Sequence, residues 1–274
     1  MNFEYFIAKR IVSAKEYKNS ISSPIIKIAI LSIVIGFVTM LISIASGVGL
    51  QNKIYQKVSA FNGDIIISNF DTNFSDDSQN PISTIQGFYP TFSSIKGIQH
   101  IQATASKGGV IRTPNKFEGV VVKGVGKDYD WNYFNEFLIS GSLPDYSHIL
   151  TNKILISEYT STRLNLKVGD KLNTFFFNSD NSKLPRSRSF KVSGIYNSGF
   201  NEFDEKFVIA DIRHIQRLNK WSENEIGSYE VFVEEFSKID QIGNEVYNEV
   251  GSFLDSQTIK ERYFSIFKWL ELFD

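Results

Sequence analysis

Residues 28–50 form an uncharged run of 23, of which 13 are Ile, Leu, Val or Phe. As a helix the run is about 34 Å long, more than the ~30 Å hydrocarbon core of a bilayer. Those side chains favour insertion by roughly 4–8 kcal/mol on a scale for mid-helix positions. A far more polar stretch of 224 residues follows from Gln51. The pattern predicts one membrane helix near the start and one large domain outside the bilayer.

Charge sets the expected orientation. Lys9, Arg10, Lys15, Lys18 and Lys27 precede the run, whereas only Lys53 and Lys57 lie in the fifteen residues after Leu50. The excess of basic residues places the N-terminus in the cytoplasm. The competing reading is a cleaved signal peptide, with Ala45-Ser46-Gly47 as a small-residue cleavage site. Its charged region would be 27 residues long and its apolar run longer than the usual ~7–15. A retained anchor is therefore the expectation.

The segments around this helix carry patterns of their own. Phe3, Phe6, Ile7, Ile11 and Ala14 recur at helical spacing, either as an amphipathic helix on the inner membrane face or as an ordinary cytoplasmic tail. Pro24 suits the first turn of the membrane helix. Within the span, Ser32, Gly36, Thr39, Ser43 and Ser46 are spaced 4, 3, 4 and 3, which keeps small and polar groups on one seam. Such seams let helices approach closely in lipid. They also arise because Gly, Ser and Thr are common in membrane helices. The packing reading requires partner helices that this chain does not contain.

Composition narrows the domain that follows. There is no cysteine, so a disulfide scaffold and thiol chemistry are excluded. From Gln51 onward there are 24 basic and 28 acidic residues, with no basic stripe, which is no footprint for nucleic acid. The length suffices for one large or two modest domains.

Along this part the pattern alternates strands and short helices. Gln51 to Ala60 continues in helical style and Gly63 ends it. Strands are expected at Asp64 to Ser68 and Ile98 to Ser106, with a helical turn at Thr91 to Ile95. After an interruption at Gly108-Gly109, Val110 to Arg112 and Gly119 to Val125 read as a hairpin around Pro114-Asn115. Trp131, Tyr133, Phe134 and Phe137 read as an aromatic plug at a sheet end, with a groove lining as the alternative. Further strands are expected at Lys153 to Ile156, Lys171 to Asn178, Phe190 to Tyr196, Glu205 to Ala210 and Tyr229 to Val233. Helices are expected after the caps Ser157 and Asp211, and from Ile239 to Phe253. The mixture argues for an α+β fold. Tyr263, Ile266, Phe267, Leu270 and Phe273 form an apolar helical face beside Lys268 and Trp269, as if the chain were returning to the membrane in a fragment cut before a second span.

No catalytic or metal-binding signature emerges. His100, His148 and His214 are scattered without metal-ligand spacing. Gly119 and Gly124 begin a Gly-x4-Gly spacing, but Val125-Gly126 stands where a phosphate-binding loop needs Lys and Ser or Thr. No cofactor and no enzymatic activity are expected.

Several segments resemble a family. Phe6-Ile7-Ala8-Lys9-Arg10 is similar to the amphipathic opening of lipoprotein-releasing ABC permeases, and Ile44 to Gln51 resembles the exit of their first membrane helix. Ile139 to Leu143, Ile154 to Ser157, Leu166 to Leu172, Ser193 to Tyr196 and Phe207 to Asp211 follow the order of elements in a MacB-like outer domain. The resemblance implies a MacB-like periplasmic domain after the transmembrane helix; the family has four membrane helices, and this chain shows one. Its implied organisation is a cytoplasmic leader (1–24), a membrane helix (25–50), a periplasmic domain (51–262) and the start of a return to the membrane (263–274). The periplasmic domain would have core halves at about 51–105 and 226–262 and an inserted subdomain at about 106–225.

What the resemblance implies for function is an inner-membrane permease. Its partners would be a second permease subunit, cytoplasmic ATPase subunits, a lipoprotein substrate and a periplasmic lipoprotein chaperone. In such permeases a protruding hairpin hands cargo to the chaperone. The matching place lies between two strands and carries Lys183, Leu184, Pro185, Arg186 and Arg188. A basic, Pro-bearing hairpin suits an acidic partner, and an ordinary solvated tip has the same composition. Two other functions stand beside this one: an FtsX-like permease that regulates a cell-wall hydrolase, and a single-span anchored binding protein.

Overall fold

The computed structural model describes residues 3–13, 22–71, 78–176 and 185–270. These fall into two compact units, one comprising Met1–Ile54 with Trp269–Asp274 and the other Tyr55–Lys268.

The first unit is helical. Helix α1 (Phe3–Ser13) leaves Phe3, Tyr5, Phe6 and Ile7 exposed. Helix α2 (Ser22–Asn62) begins in this unit and is unbroken to its end. From Pro24 it is long and apolar enough to cross a membrane, and its most apolar stretch is not buried by protein. Gln51 Nε2 donates to Leu270 O at 2.9 Å.

The second unit is built on one mixed sheet. Strands β1 (Ile65–Asn69), β3 (Ile98–Arg112), β11 (Ser228–Val233) and β12 (Leu254–Thr258) lie in the order β12-β1-β11-β3, all antiparallel. Helix α7 (Ile239–Glu249) packs against β12. Beyond β3 the sheet curls. Strands β4 (Phe117–Val125), β9 (Phe207–Asp211), β6 (Lys153–Ser157), β8 (Arg186–Tyr196) and β7 (Lys171–Phe176) follow, and β7 pairs back onto β3. The six strands close into a ring. Strand β3 serves both parts: its start pairs with β11, and its end pairs with β4 and β7. Helix α6 (Ile212–Asn219) lies against β3, β4 and β9. It starts where the Asp211 carboxylate accepts from Arg213 N. Helix α4 (Glu158–Leu164) starts where Ser157 Oγ accepts from Thr160 N.

The structure is mixed α+β with a long apolar N-terminal helix, as the alternation of patterns predicts. Several local expectations are corrected. Gly108-Gly109 does not interrupt the chain; β3 runs through both. A Cβ on Gly109 would lie 3.0 Å from Thr174 Cγ2 and 3.1 Å from Phe175 O, so the missing side chain is what lets β7 close the ring. Gly124 likewise sits under α6, where a Cβ would be 2.7 Å from Ile212 Cα. Thr91 to Ile95 holds no helical turn. Helix α7 ends at Glu249 rather than Phe253, and β12 follows. Strand β8 begins at Arg186, four residues before the expected Phe190. Short elements escape the pattern altogether: α3 (Asn132–Asn135), β5 (Leu138–Gly141) and the two-stranded pair β2 (Ile82–Ser83) and β10 (Glu225–Ile226).

Gly109→Val therefore overpacks the ring closure and should destabilise the protein by about 1–3 kcal/mol. Gly119→Val, at a position where a Cβ meets nothing within 4 Å, should change stability by less than about 0.5 kcal/mol. Urea unfolding of the two variants measures the contrast.

Candidate functional site

The last two turns of α2 belong to the Tyr55–Lys268 unit, and most of their residues are buried. Tyr55, Ser59 and Asn62 share one helical face, and Val58 and Phe61 share another. Gly63 adopts φ +68° and ends the helix, with Gly63 N donating to Ser59 O at 2.7 Å. This is the left-handed position that glycine fills at a helix C-terminus.

Phe61 is the apolar anchor. Its ring centroid lies 4.9 Å from Phe203, 5.1 Å from Phe134, 5.7 Å from Tyr196 and 5.9 Å from Phe137. Burying such a side chain contributes roughly 1.5–3 kcal/mol. Of the aromatic residues singled out in the sequence, Phe134 and Phe137 thus pack around the helix end as core, and Trp131 meets Phe134 edge-on.

A buried ion pair secures the backbone of the same turn. Lys123 Nζ on β4 donates to Phe61 O and pairs with Glu230 Oε1 on β11 at 2.5 Å. Both side chains are at most 7% exposed. Glu230 Oε2 accepts from Gln102 Nε2 on β3 at 2.9 Å. Lys123 thereby places a cation on the negative end of the α2 dipole. Burial, then the charges of Glu230 and Asp130, push the neighbouring Tyr129 phenol well above its usual range.

Asp64, two residues past α2, ties the helix to the sheet. Its Oδ1 accepts from Ser59 Oγ at 2.6 Å and Tyr55 Oη at 2.9 Å, and its Oδ2 accepts from Val233 N at 2.7 Å. Its backbone bonds Val231 and Ile259. Burial raises the carboxyl above its ordinary value, opposed by the bonds from Ser59, Val233 N and Tyr55. The arrangement is a mechanical clamp. It grips one helix end through β4 and β11, strands of the curled and open parts of the sheet.

The residues singled out from sequence lie elsewhere. Ser32, Gly36, Thr39, Ser43 and Ser46 are all exposed on α2, and Thr39 Oγ1 donates back to Ile35 O at 2.9 Å. Lys183 and Leu184 lie outside the described residues. Pro185 is exposed. Arg186 and Arg188 are half-buried on β8, with Arg186 Nη1 donating to Leu218 O at 2.7 Å and Arg188 Nη1 to Ser187 O at 3.0 Å. Two open clefts flank the β3–β4 turn near this hairpin, one of 610 Å³ and one of 440 Å³.

The three histidines stay apart in role. His100 Nε2 contacts Asp128 O at 2.8 Å, His214 Nε2 contacts Thr151 O at 2.9 Å, and His148 is exposed. Burial lowers the pKa of His214. Among the described residues no group of three or more His, Cys, Asp or Glu is placed to hold a metal.

Sequence reasoning passed over Lys123, Glu230 and Asp64. Lys123 was legible in part: it is the one charge in Val120-Val121-Val122-Lys123-Gly124-Val125. A lone charge in a buried β-branched strand requires a partner.

A helix gripped by a curled mixed sheet, with a membrane-length apolar segment at its other end, defines a membrane-linked α+β domain. The family model of the MacB-like periplasmic core domain matches residues 28–247, and the chain belongs to that family, found in ABC-transporter permeases. Among solved structures, the chain is similar to the periplasmic region of MacB from Actinobacillus actinomycetemcomitans. Identity there is 15% over 74% of this chain and 91% of that one, with a TM-score of 0.49. It is also similar to the extracellular domain of the noncanonic ABC-type transporter YknZ from Gram-positive bacteria. Identity is 12% over 71% of this chain and 99% of that one, with a TM-score of 0.44. No curated protein matches the chain significantly.

Two measurements test the clamp. Lys123→Met leaves Glu230 buried without its cation and should cost about 3–5 kcal/mol. Adding Glu230→Gln removes the stranded charge, so the double variant should unfold at higher urea than Lys123→Met alone. The second concerns pH. Because the folded-state pKa of Asp64 is raised, the folded form binds the proton more tightly. Stability from this group is therefore present at acid pH and lost as pH rises from about 4 through the folded pKa. The Tm of wild type minus that of Asp64→Asn should fall over that interval.

Proposed function

We propose that this chain is a permease subunit of an ABC transporter that extracts lipoproteins from the inner membrane and passes them to a periplasmic chaperone. Its N-terminus is cytoplasmic and its main domain periplasmic, in accord with the five basic residues before the apolar run and two after it. ATP is hydrolysed by separate cytoplasmic subunits, and a second permease subunit completes the transporter. Substrate does not pass through a bilayer channel; the domain moves and carries it.

The observation that carries this reading is the clamp on α2. The helix is unbroken from Ser22 to Asn62, and its last turn is bonded to Lys123, with Asp64 directly following. The seam of Ser32, Gly36, Thr39, Ser43 and Ser46 is the face for partner helices, because small residues let backbones approach in lipid. The periplasmic part works as two pieces, core halves at about 51–105 and 226–262 and an insert at about 106–225. Strand β3 crosses the boundary between them.

The β7–β8 hairpin, with Lys183, Leu184, Pro185, Arg186 and Arg188, is the chaperone hook. Two of its cations are suited to charge reversal, Lys183 and Arg188; Arg188 Nη1 donates to the adjacent Ser187 O. Lys183→Glu with Arg188→Glu should reduce lipoprotein release to the chaperone at least about tenfold, a loss of ~1.4 kcal/mol in transfer. Thermal stability should stay within a few degrees. The assay is release from proteoliposomes holding the complete transporter; unchanged release removes the hook.

A further inference from the structure

Among the described residues, the outer wall of the ring beside the β3–β4 turn carries an exposed face with a composition of its own. The strand registers place its residues in two rows. Phe117, Arg112, Asn173 and Ser189 form one, and Gly119, Val110, Phe175 and Ser187 form the other. Alternation sends their neighbours Ile111, Thr174 and Phe176 into the buried side.

Three features set this face apart. Phe117 is 75% exposed at the first position of β4, paired with Arg112 at the end of β3. Gly119 leaves open space next to it, with nothing within 4 Å of a Cβ. Phe117, Val110, Phe175 and Pro185 border the 440 Å³ cleft, which is large enough for one apolar side chain and the backbone around it.

Charge states what the cleft suits. Its rim holds Arg112 and Lys116, and the exposed Lys171 and Lys191 face each other across β7 and β8. Lys116 Nζ donates to a backbone oxygen, Arg163 O, at 2.7 Å, so that bond does not neutralise its charge. Glu118 pairs with Arg163. Asp170 Oδ2 accepts from the backbone Lys167 N at 2.8 Å and keeps its charge, one carboxylate against Arg112, Lys116, Lys171 and Lys191. The wall is therefore basic and apolar, around a rigid strand pair.

We infer that this face binds an acidic polypeptide segment of a partner protein, which seats one Leu or Phe between Phe117 and Phe175 while flanking carboxylates meet Arg112 and Lys116. An exposed aromatic beside a guanidinium is the composition that dominates protein interfaces. The inference rests on the surface itself and holds whether or not the cargo is a lipoprotein.

The test uses the full chain in phosphatidylcholine nanodiscs and a fluorescein-labelled twelve-residue peptide of Glu and Asp around a central Phe-Leu. Binding should be saturable and weaken with salt. It should fall at least about tenfold in Phe117→Ser and in Arg112→Glu, both at exposed positions whose variants should keep the wild-type Tm. Replacing the peptide's acids by Lys, or Phe-Leu by Ser-Ser, should cause a similar loss. Lys183→Glu with Arg188→Glu should retain binding, which separates this face from the hook. Three outcomes overturn the inference: no saturable binding, binding indifferent to Phe117→Ser and Arg112→Glu, or displacement of the peptide by phosphatidylglycerol vesicles that bind through the same two residues.

Discussion

Lys123 sits in the stretch Gly119–Val125 of β4, otherwise valine and glycine, inside the protein interior, and makes two contacts that organise the domain. One is to Phe61 O in the final turn of α2, the other to Glu230 on β11. A buried ammonium without a carboxylate costs several kcal/mol, so the bond from β4 to the helix end depends on Glu230 from β11. β3 lies between them, and its Gln102 bonds the same carboxylate. One charge pair therefore sets the registry of three strands against one helix. Asp64 repeats the device on the other side of the turn, with Ser59 and Tyr55 from the helix and Val233 from the sheet. Phe61 fills the space between the two polar anchors with an aromatic cluster.

The joint is held by polar and apolar contacts together. Its polar groups are satisfied by partners on different strands, and its apolar part is packed by rings from α3, α5 (Asn201–Asp204) and β9. Loosening it means exposing a charge pair and an aromatic core together. The surface we propose for a partner lies at the other end of β4, beside the β3–β4 turn, away from Lys123. A division of this kind lets binding surfaces vary without disturbing the grip on the helix.

How much was legible beforehand depended on whether the signal was local. The helix after Ser157 and the helix after Asp211 are visible because an N-cap is a short-range device. The turn at Pro114-Asn115 is visible for the same reason. β12 was hidden: Leu254-Asp255-Ser256-Gln257-Thr258 has little strand propensity, and its pairing is supplied by β1. Gly108-Gly109 misled because glycine inside a strand marks either a break or a close approach, and only the return of β7 selects the second. In the hairpin, Arg186 and Arg188 read as loop because alternation with Ser187 and Ser189 resembles a polar tip. In the structure they extend β8, with Arg186 bonded to the last turn of α6.

The sequence by itself determined that a membrane-length apolar helix lies near the start, that no cysteine is present, and that an α+β domain follows. Those properties depend on runs, spacings and counts, which need no partner to be read. The tertiary structure alone decided the closing of six strands into a ring, the meeting of Lys123 with Glu230 more than a hundred residues away, and the exposure of Phe117. Each of these depends on which segments of chain are brought together. Desolvation and close packing act between neighbours in space, whatever their separation along the chain.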